Sequence, residues 1–217
     1  MSRDGEEELA RALSDWGISL DENQWAVLRA YAASVLEAAA RANLTADLEP
    51  RKILLRHLAD GFAAAAVLKS LEPAPGRIAD LGAGAGFVGF AVKLALPASE
   101  VVLIEPLEKR FAFLNSAAAA SRLPGLKVAR RSPGSWRYDA VLVRAVAPLP
   151  EALLLAAPMT ATEGRILIFQ SQNPDPADAA LTRARGKARA VQEPARSYRL
   201  PGEDKDRFFA IFRVSGH

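Results

Sequence analysis

Residues 80–89 read Asp-Leu-Gly-Ala-Gly-Ala-Gly-Phe-Val-Gly, and they follow directly on the apolar pair Ile78-Ala79. Four glycines in ten positions sacrifice both helix and strand propensity, which a chain does where bare backbone must turn tightly or approach a ligand closely. A strand, a glycine-rich turn and a helix in that order place such a turn at the carboxyl edge of a parallel sheet. Two ligand patterns fit the same residues. Gly84, Gly86 and Gly89 satisfy G-x-G-x-x-G, the dinucleotide pattern. Asp80, Gly82, Gly84 and Gly86 satisfy D-x-G-x-G-x-G, the S-adenosylmethionine (SAM) pattern. Either ligand wants an acid at the end of the next strand for ribose hydroxyls, and Glu105 stands there. Asp80 just before the turn, the late position of the turn after about 75 mostly helical residues, and a hairpin-like finish to the chain favour SAM over NAD.

Outward from the turn the rhythm is that of a doubly covered sheet. Short apolar runs at 77–82, 101–105, 126–130, 138–145 and 164–170 read as strands. Helical stretches at 87–96, 107–121 and 149–156 separate most of them. Continuously apolar strands alternating with helices predict a parallel sheet buried on both faces. A helix at 175–186 follows, and a hairpin of 188–200 with 207–214 is expected to finish the sheet. The predicted fold is therefore α/β: a seven-stranded Rossmann-like methyltransferase sheet over 71–217 behind a helical N-terminal extension, 1–70. In that extension 7–16 is a short helix. Asp21 and Gln24 form a capping box for a long helix reaching Ala42, and Pro50 opens a third running to Lys69.

Composition narrows the chemistry. The 217 residues include no Cys and two His, one of them the terminal His217, so neither a thiolate nucleophile nor a metal site is expected. No apolar run approaches the ~18 residues of a membrane span, and the acidic start has no secretory character. A cytoplasmic protein without a membrane partner is the expectation. Residues 1–50 carry 4 Lys/Arg against 10 Asp/Glu, and residues 51–217 carry 24 against 15. An acidic head on a basic body suits contact of that body with a polyanion.

Longer stretches carry a resemblance. Residues 43–61, NLTADLEPRKILLRHLADG, resemble the N-terminal signature of the bacterial 16S ribosomal RNA guanine-N7 methyltransferase G (glucose-inhibited division protein B) family. Residues 80–90 resemble its Gly-rich loop, 103–114 its second-strand acid with Lys-Arg, 138–149 its fourth-strand Arg motif, and 207–214 its last strand. The matches run in order over residues 40–214. The resemblance implies a SAM-dependent enzyme that methylates N7 of one guanine in 16S ribosomal RNA of the small ribosomal subunit. It implies Gly82 and Phe87 at the SAM site beside Asp80, Gly84 and Gly86. Glu105 would hold ribose, and Ser132 and Pro133 would lie where backbone meets the adenine. Arg144 would border both cofactor and reacting base as the catalytic candidate. A monomer is the expected state.

The sequence also departs from that pattern. Val88 and Ala91 replace prolines, Gly61 a Ser, Glu105 an Asp, Glu108 a Gly and Val143 a Ser, while Gln170-Ser171 stands where the family has Lys-Gly. Pro133 offers no backbone N–H. These departures keep open a catalytically altered, RNA-binding relative, and the G-x-G-x-x-G match keeps open an NAD-binding oxidoreductase. The lack of catalytic His and Cys is compatible with the methylation reading. Guanine N7 presents a free lone pair and needs no general base, only alignment and a suitable field. Residues 143–146, Val-Arg-Ala-Val, replace the Asn-Pro-Pro-Tyr used on exocyclic amines. His57 reads as a packed or capping residue in a polar cluster with Arg56 and Asp60. Lys109-Arg110 reads as a solvated helix face near the cofactor edge, and Trp136 as packing. Arg183, Arg185, Lys187, Arg189, Arg196 and Arg199 are candidates for phosphate contact.

Overall fold

The computed structural model describes residues 3–216. His217 lies outside the described residues. Helices α1 (Arg3–Asp15), α2 (Glu22–Ala42), α3 (Pro50–Lys52) and α4 (Ala59–Lys69) precede strand β1 (Arg77–Leu81). Then follow α5 (Phe87–Ala95), β2 (Glu100–Ile104), α6 (Glu108–Ser121), β3 (Leu126–Ala129), β4 (Tyr138–Val143), α7 (Leu149–Ala156) and β5 (Thr160–Gln170). Helix α8 (Ala179–Ala188) and the hairpin β6 (Ala190–Arg199) with β7 (Asp206–Val214) end the chain.

The seven strands lie in the order β3-β2-β1-β4-β5-β7-β6. β1 to β5 are parallel, and β7 is antiparallel to both β5 and β6. The reversal between β1 and β2 on one side and β4 on the other puts the β1 turn at the switch point where such sheets open a crevice. Alternation along β1 assigns the two faces. Ile78, with Val101, Leu103, Ala140 and Leu142, faces a core shared with α1, α2, α4, α5 and α6. Ala79, with Val102, Ile104, Val141 and Val143, faces α7 and α8. Both faces are covered, which is why successive residues of the central strands, such as Val101–Ile104 and Ala140–Val143, are apolar and buried.

Two local devices set the N-terminal helices against this frame. The capping box forms as expected: Asp21 N–H donates to Gln24 Oε1 and Gln24 N–H to Asp21 Oδ1, each at 2.8 Å. Between α3 and α4 the helix does not stay α-helical. Ile53–Leu58 is a π-helical stretch, and the Ala59 N–H reaches back five residues to Leu54 O. Such π insertions occur frequently at functional sites, and this one carries Arg56 and His57. The expected bounds agree with the observed ones to within a few residues, with three larger differences. Helix α1 starts at Arg3 rather than 7, β5 starts at Thr160 rather than 164, and α8 spans Ala179–Ala188 rather than 175–186.

Candidate active site

The turn after β1 is held by its neighbours on every side. Gly82 and Ala83 N–H both donate to Ile104 O at the end of β2, at 2.9 and 3.0 Å. Gly84 N–H donates to Glu105 Oε2 at 2.9 Å, and Leu107 N–H to Glu105 Oε1 at 2.8 Å. Gly89 N–H donates to Asp80 Oδ2 at 2.9 Å. Gly82, Gly84 and Gly86 have φ of +71°, +61° and +90°, conformations that suit glycine. A Cβ added at Gly82 would stand 2.4 Å from Val146 Cγ2, whereas one at Gly84 would meet nothing nearer than its own chain at 4.0 Å. Gly84 therefore opens on free space, the place a ligand would occupy.

That space is a cavity of about 180 Å³ lined by Asp80, Gly82, Gly84, His57, Phe87 and Arg144, with Leu44, Thr45 and Arg110 on its rim. Asp80 is buried, and burial pushes its carboxyl up to about 6 against the opposing pull of the Gly89 N–H and the Arg144 charge. Two carboxylates, Asp80 and Glu105, flank the turn. They would repel a pyrophosphate and attract a donor carrying an ammonium and a sulfonium. With Gly82, Ala83 and Gly84 N–H already engaged, the turn has fewer donors to offer phosphate oxygens. The donor set fits SAM and fits NAD poorly.

The N-terminal helices close the cavity. Tyr31 on α2 stacks on Phe90 at 3.9 Å and its hydroxyl donates to Ala85 O at 2.7 Å. Arg110 on α6 donates to Asn43 O at 3.2 and 3.0 Å, and so is more than a solvated face; Lys109 is exposed. The His57 ring lies flat on Phe87 at 4.6 Å, and its Nε2 is 2.8 Å from Asp47 Oδ2. Burial holds His57 below its ordinary range, so a neutral ring donates Nε2–H to Asp47.

Arg144 follows β4. Its Nη1 donates to Asp60 Oδ2 at 2.9 Å and to His57 O at 3.4 Å, and its guanidinium lies 5.8 Å from the Phe87 ring centre. The next residue, Ala145, has φ +56°, a strained conformation for a residue with a Cβ. Asp60, expected in a cluster with Arg56 and His57, instead gathers Arg144, Tyr198 (hydroxyl to Oδ1, 2.7 Å) and Arg207 (3.4 Å). Arg56 pairs with Asp47 and Glu203, at 3.8 and 3.5 Å. Sequence reading missed Tyr31, Tyr198, Glu203 and Arg207. The hairpin residues gave no signal beyond being polar at the end of a strand pair.

Ser132 and Pro133 lie in the loop after β3 and are not among the residues lining the cavity. Trp136 sits near the opposite, amino edge, with Arg77 and Lys127 over its ring at 5.0 and 5.3 Å, which is packing. The basic stretch 183–199 does not form one patch. Arg189 caps α8 beside Ala190, which pairs with Val214 near the amino edge, while Arg199 pairs with Asp206 near the carboxyl edge.

A family model for rRNA small subunit methyltransferase G (GidB) matches residues 24–196. The chain belongs to this family. The ribosomal RNA small subunit methyltransferase G of Myxococcus xanthus is 32% identical over 214 residues, 95% of this chain and 96% of that one. Its counterpart in Rubrobacter xylanophilus is 34% identical over 183 residues, 81% of this chain and 69% of that one. Magnesium protoporphyrin IX methyltransferase from Synechocystis PCC 6803, solved with bound SAM, superposes with a TM-score of 0.59 at 16% identity, covering 91% of this chain and 99% of that one. At that identity the likeness concerns the fold, and it is the methyltransferase fold expected from the sequence. Among the described residues no helix is long and apolar enough to cross a membrane.

Proposed function

We propose that this member of the methyltransferase G family transfers a methyl group from SAM to N7 of a guanine in 16S ribosomal RNA, acting on the small ribosomal subunit as a cytoplasmic monomer. The observation that carries the reading is the convergence of Asp80, Gly84 and Arg144 on one cavity at the switch point of the sheet. SAM supplies an electrophilic methyl on a cationic sulfur. Asp80 provides negative charge for that cationic donor. Glu105 fixes the turn through two backbone N–H bonds and, with about four acceptor sites on a carboxylate, retains capacity for ribose hydroxyls. Phe87 and His57 form a flat apolar wall that excludes water. Gly82 and Gly86 shape the turn. Ser132 and Pro133, on the loop beyond β3, are assigned to the adenine end. Arg144 borders the reacting base. We read residues 1–70 as an extension that completes the cofactor site and 71–217 as the methyltransferase domain.

Transfer of tritiated methyl from SAM to 30S subunits and to naked 16S RNA, followed by nucleoside analysis, tests this reading. The expected product is 7-methylguanosine. Binding of S-adenosylhomocysteine with no transfer to either RNA would replace the enzyme by a catalytically altered RNA-binding relative.

A further inference from the structure

A second cavity, of about 360 Å³, adjoins the first at the carboxyl edge. Its walls include Phe169 and Gln170 at the end of β5, and Tyr198, Glu203 and Arg207 on the β6–β7 hairpin. Arg144 and Ala145 line both cavities. The volume lies at the small end of the ~300–1,000 Å³ usual for ligand sites. A single base taken out of its stack is a ligand of that kind.

We propose that this second cavity takes the target guanine, with Arg144 donating to O6 and Glu203 accepting from N1–H and N2–H. The assignment rests on the methyltransferase reading above. Arg144 stands on the boundary between the cofactor turn and the second cavity. A base whose N7 faces the first cavity presents O6 beside it, and the guanidinium meets that oxygen. The opposite edge of the base, with its two N–H donors, then turns toward the hairpin. Glu203 carries the carboxylate there. Arg207 grips it from one side, Nε to Oε2 at 3.2 Å and Nη2 to Oε1 at 3.0 Å, and Arg56 Nε stands 3.5 Å from Oε1. The side chain keeps 28% of its surface exposed. Its orientation is fixed while acceptor sites remain. Asp60 cannot serve in its place. It is 5% exposed, and Arg144, Tyr198 and Arg207 occupy its oxygens.

This arrangement excludes adenine by charge at both ends. Adenine would set its amino group against the Arg144 guanidinium and a bare N1 lone pair against Glu203. It also acts on the rate. The N7 lone pair forms the new bond to the methyl carbon, the sulfur keeps the electron pair of the broken bond, and no proton moves. Positive charge passes onto the base, so N1–H becomes more acidic as the reaction proceeds. A hydrogen bond to Glu203 therefore strengthens in the transition state, where it accelerates the step.

The test uses the full chain and 30S subunits reconstituted with 16S RNA that carries guanine or inosine at the position the wild-type protein methylates. Inosine keeps N7, O6 and N1–H but lacks the amine. Single-turnover rates are measured for wild type, Glu203→Ala and Glu203→Gln, with S-adenosylhomocysteine binding measured alongside. We expect wild type to be slower on inosine by about tenfold or more, the scale of one hydrogen bond to a charged group. Both variants should be about ten- to a hundredfold slower on guanine, with Glu203→Ala no longer distinguishing the two bases and with cofactor affinity unchanged. Equal wild-type rates on both bases, or a Glu203→Ala variant that still discriminates, overturns the pocket assignment and leaves the methyltransferase reading intact. A wild-type protein that makes no 7-methylguanosine on 30S subunits or naked RNA overturns that reading, and the assignment falls with it.

Discussion

The hydroxyl of Tyr31, near the middle of α2, donates to the carbonyl of Ala85 inside the glycine turn, 54 positions later in sequence, at 2.7 Å. Both groups are buried. Tyr31→Phe keeps the stack on Phe90 and leaves the Ala85 carbonyl without its partner. The expected loss is about 1–3 kcal/mol of unfolding free energy, the usual penalty for an orphaned buried acceptor. Urea unfolding measures it. An unchanged midpoint would show that the extension rests on the turn without bracing it.

Glu105 is a second brace. Glu105→Ala frees the N–H groups of Gly84 and Leu107 together, so the variant should be less stable and bind S-adenosylhomocysteine more weakly by about 1.5–3 kcal/mol. Calorimetry against S-adenosylhomocysteine and NAD reads both points. Tight NAD binding by the wild type would contradict the charge argument made for the turn.

Asp80 couples stability to pH. Its carboxyl titrates near 6 in the fold, against 3.8 when unperturbed. Between those values the folded chain holds a proton that the unfolded chain has lost, so unfolding free energy falls as pH rises from about 4 to about 6. At about 1.4 kcal/mol per pH unit, the total is roughly 3 kcal/mol. Asp80→Asn should remove this slope and gain stability at pH 8 over the wild type. Cofactor binding should run the other way. The ammonium that S-adenosylhomocysteine shares with SAM prefers the ionised carboxylate, so S-adenosylhomocysteine affinity should weaken by up to about tenfold per pH unit below about 6 in the wild type, with no such trend in Asp80→Asn. A flat wild-type binding profile from pH 5 to 7 would place the ligand's charge away from Asp80.

Gly61 and Ala91 both depart from the family pattern, and they touch. A Cβ at Gly61 would lie 2.7 Å from Ala91 Cβ and 2.9 Å from Val88 Cα. Gly61→Ser, which restores the family residue, should therefore destabilise this chain by about 1–3 kcal/mol through overpacking of α4 on α5. Thermal unfolding decides. A neutral result would mean that the helices separate at no cost.

Arg144→Ala should lower turnover more than RNA affinity, because its contacts lie at the junction of the two cavities. Replacing Arg183, Arg185 and Arg189 together should do the reverse. RNA affinity should fall, and the salt dependence should flatten by about 0.7 log units per lost phosphate contact. Turnover at saturation should hold. If the triple variant matches the wild type in affinity and slope, that surface is only solvated.

Much of this was legible in the sequence because it is local. The capping box at Asp21, the apolar strands and the glycine turn each declare themselves within a few residues, so their bounds came out close. The wall of the second cavity is not local. Asp60, Tyr198, Glu203 and Arg207 meet only after the hairpin folds beside β5, and nothing in their spacing announces the meeting. Arg110 reads as solvated in sequence for the same reason. Its partner is the Asn43 carbonyl, freed where α2 ends in a left-handed residue. The Arg56-His57-Asp60 cluster was expected on α-helical spacing, and the π stretch alters that spacing.

A π stretch is, in effect, one residue inserted into a helix and retained. Each residue of an α-helix advances the chain by about 100°. Ile53–Leu58 thus acts as a phase shifter between two sets of contacts. Upstream, Arg51 faces Glu8 on α1; downstream, Asp60 faces Arg144 and the hairpin. Ordinary helical periodicity would satisfy one set and rotate the other away. Point substitutions elsewhere in the chain tune individual contacts, whereas a change in the number of residues here would reassign the whole face.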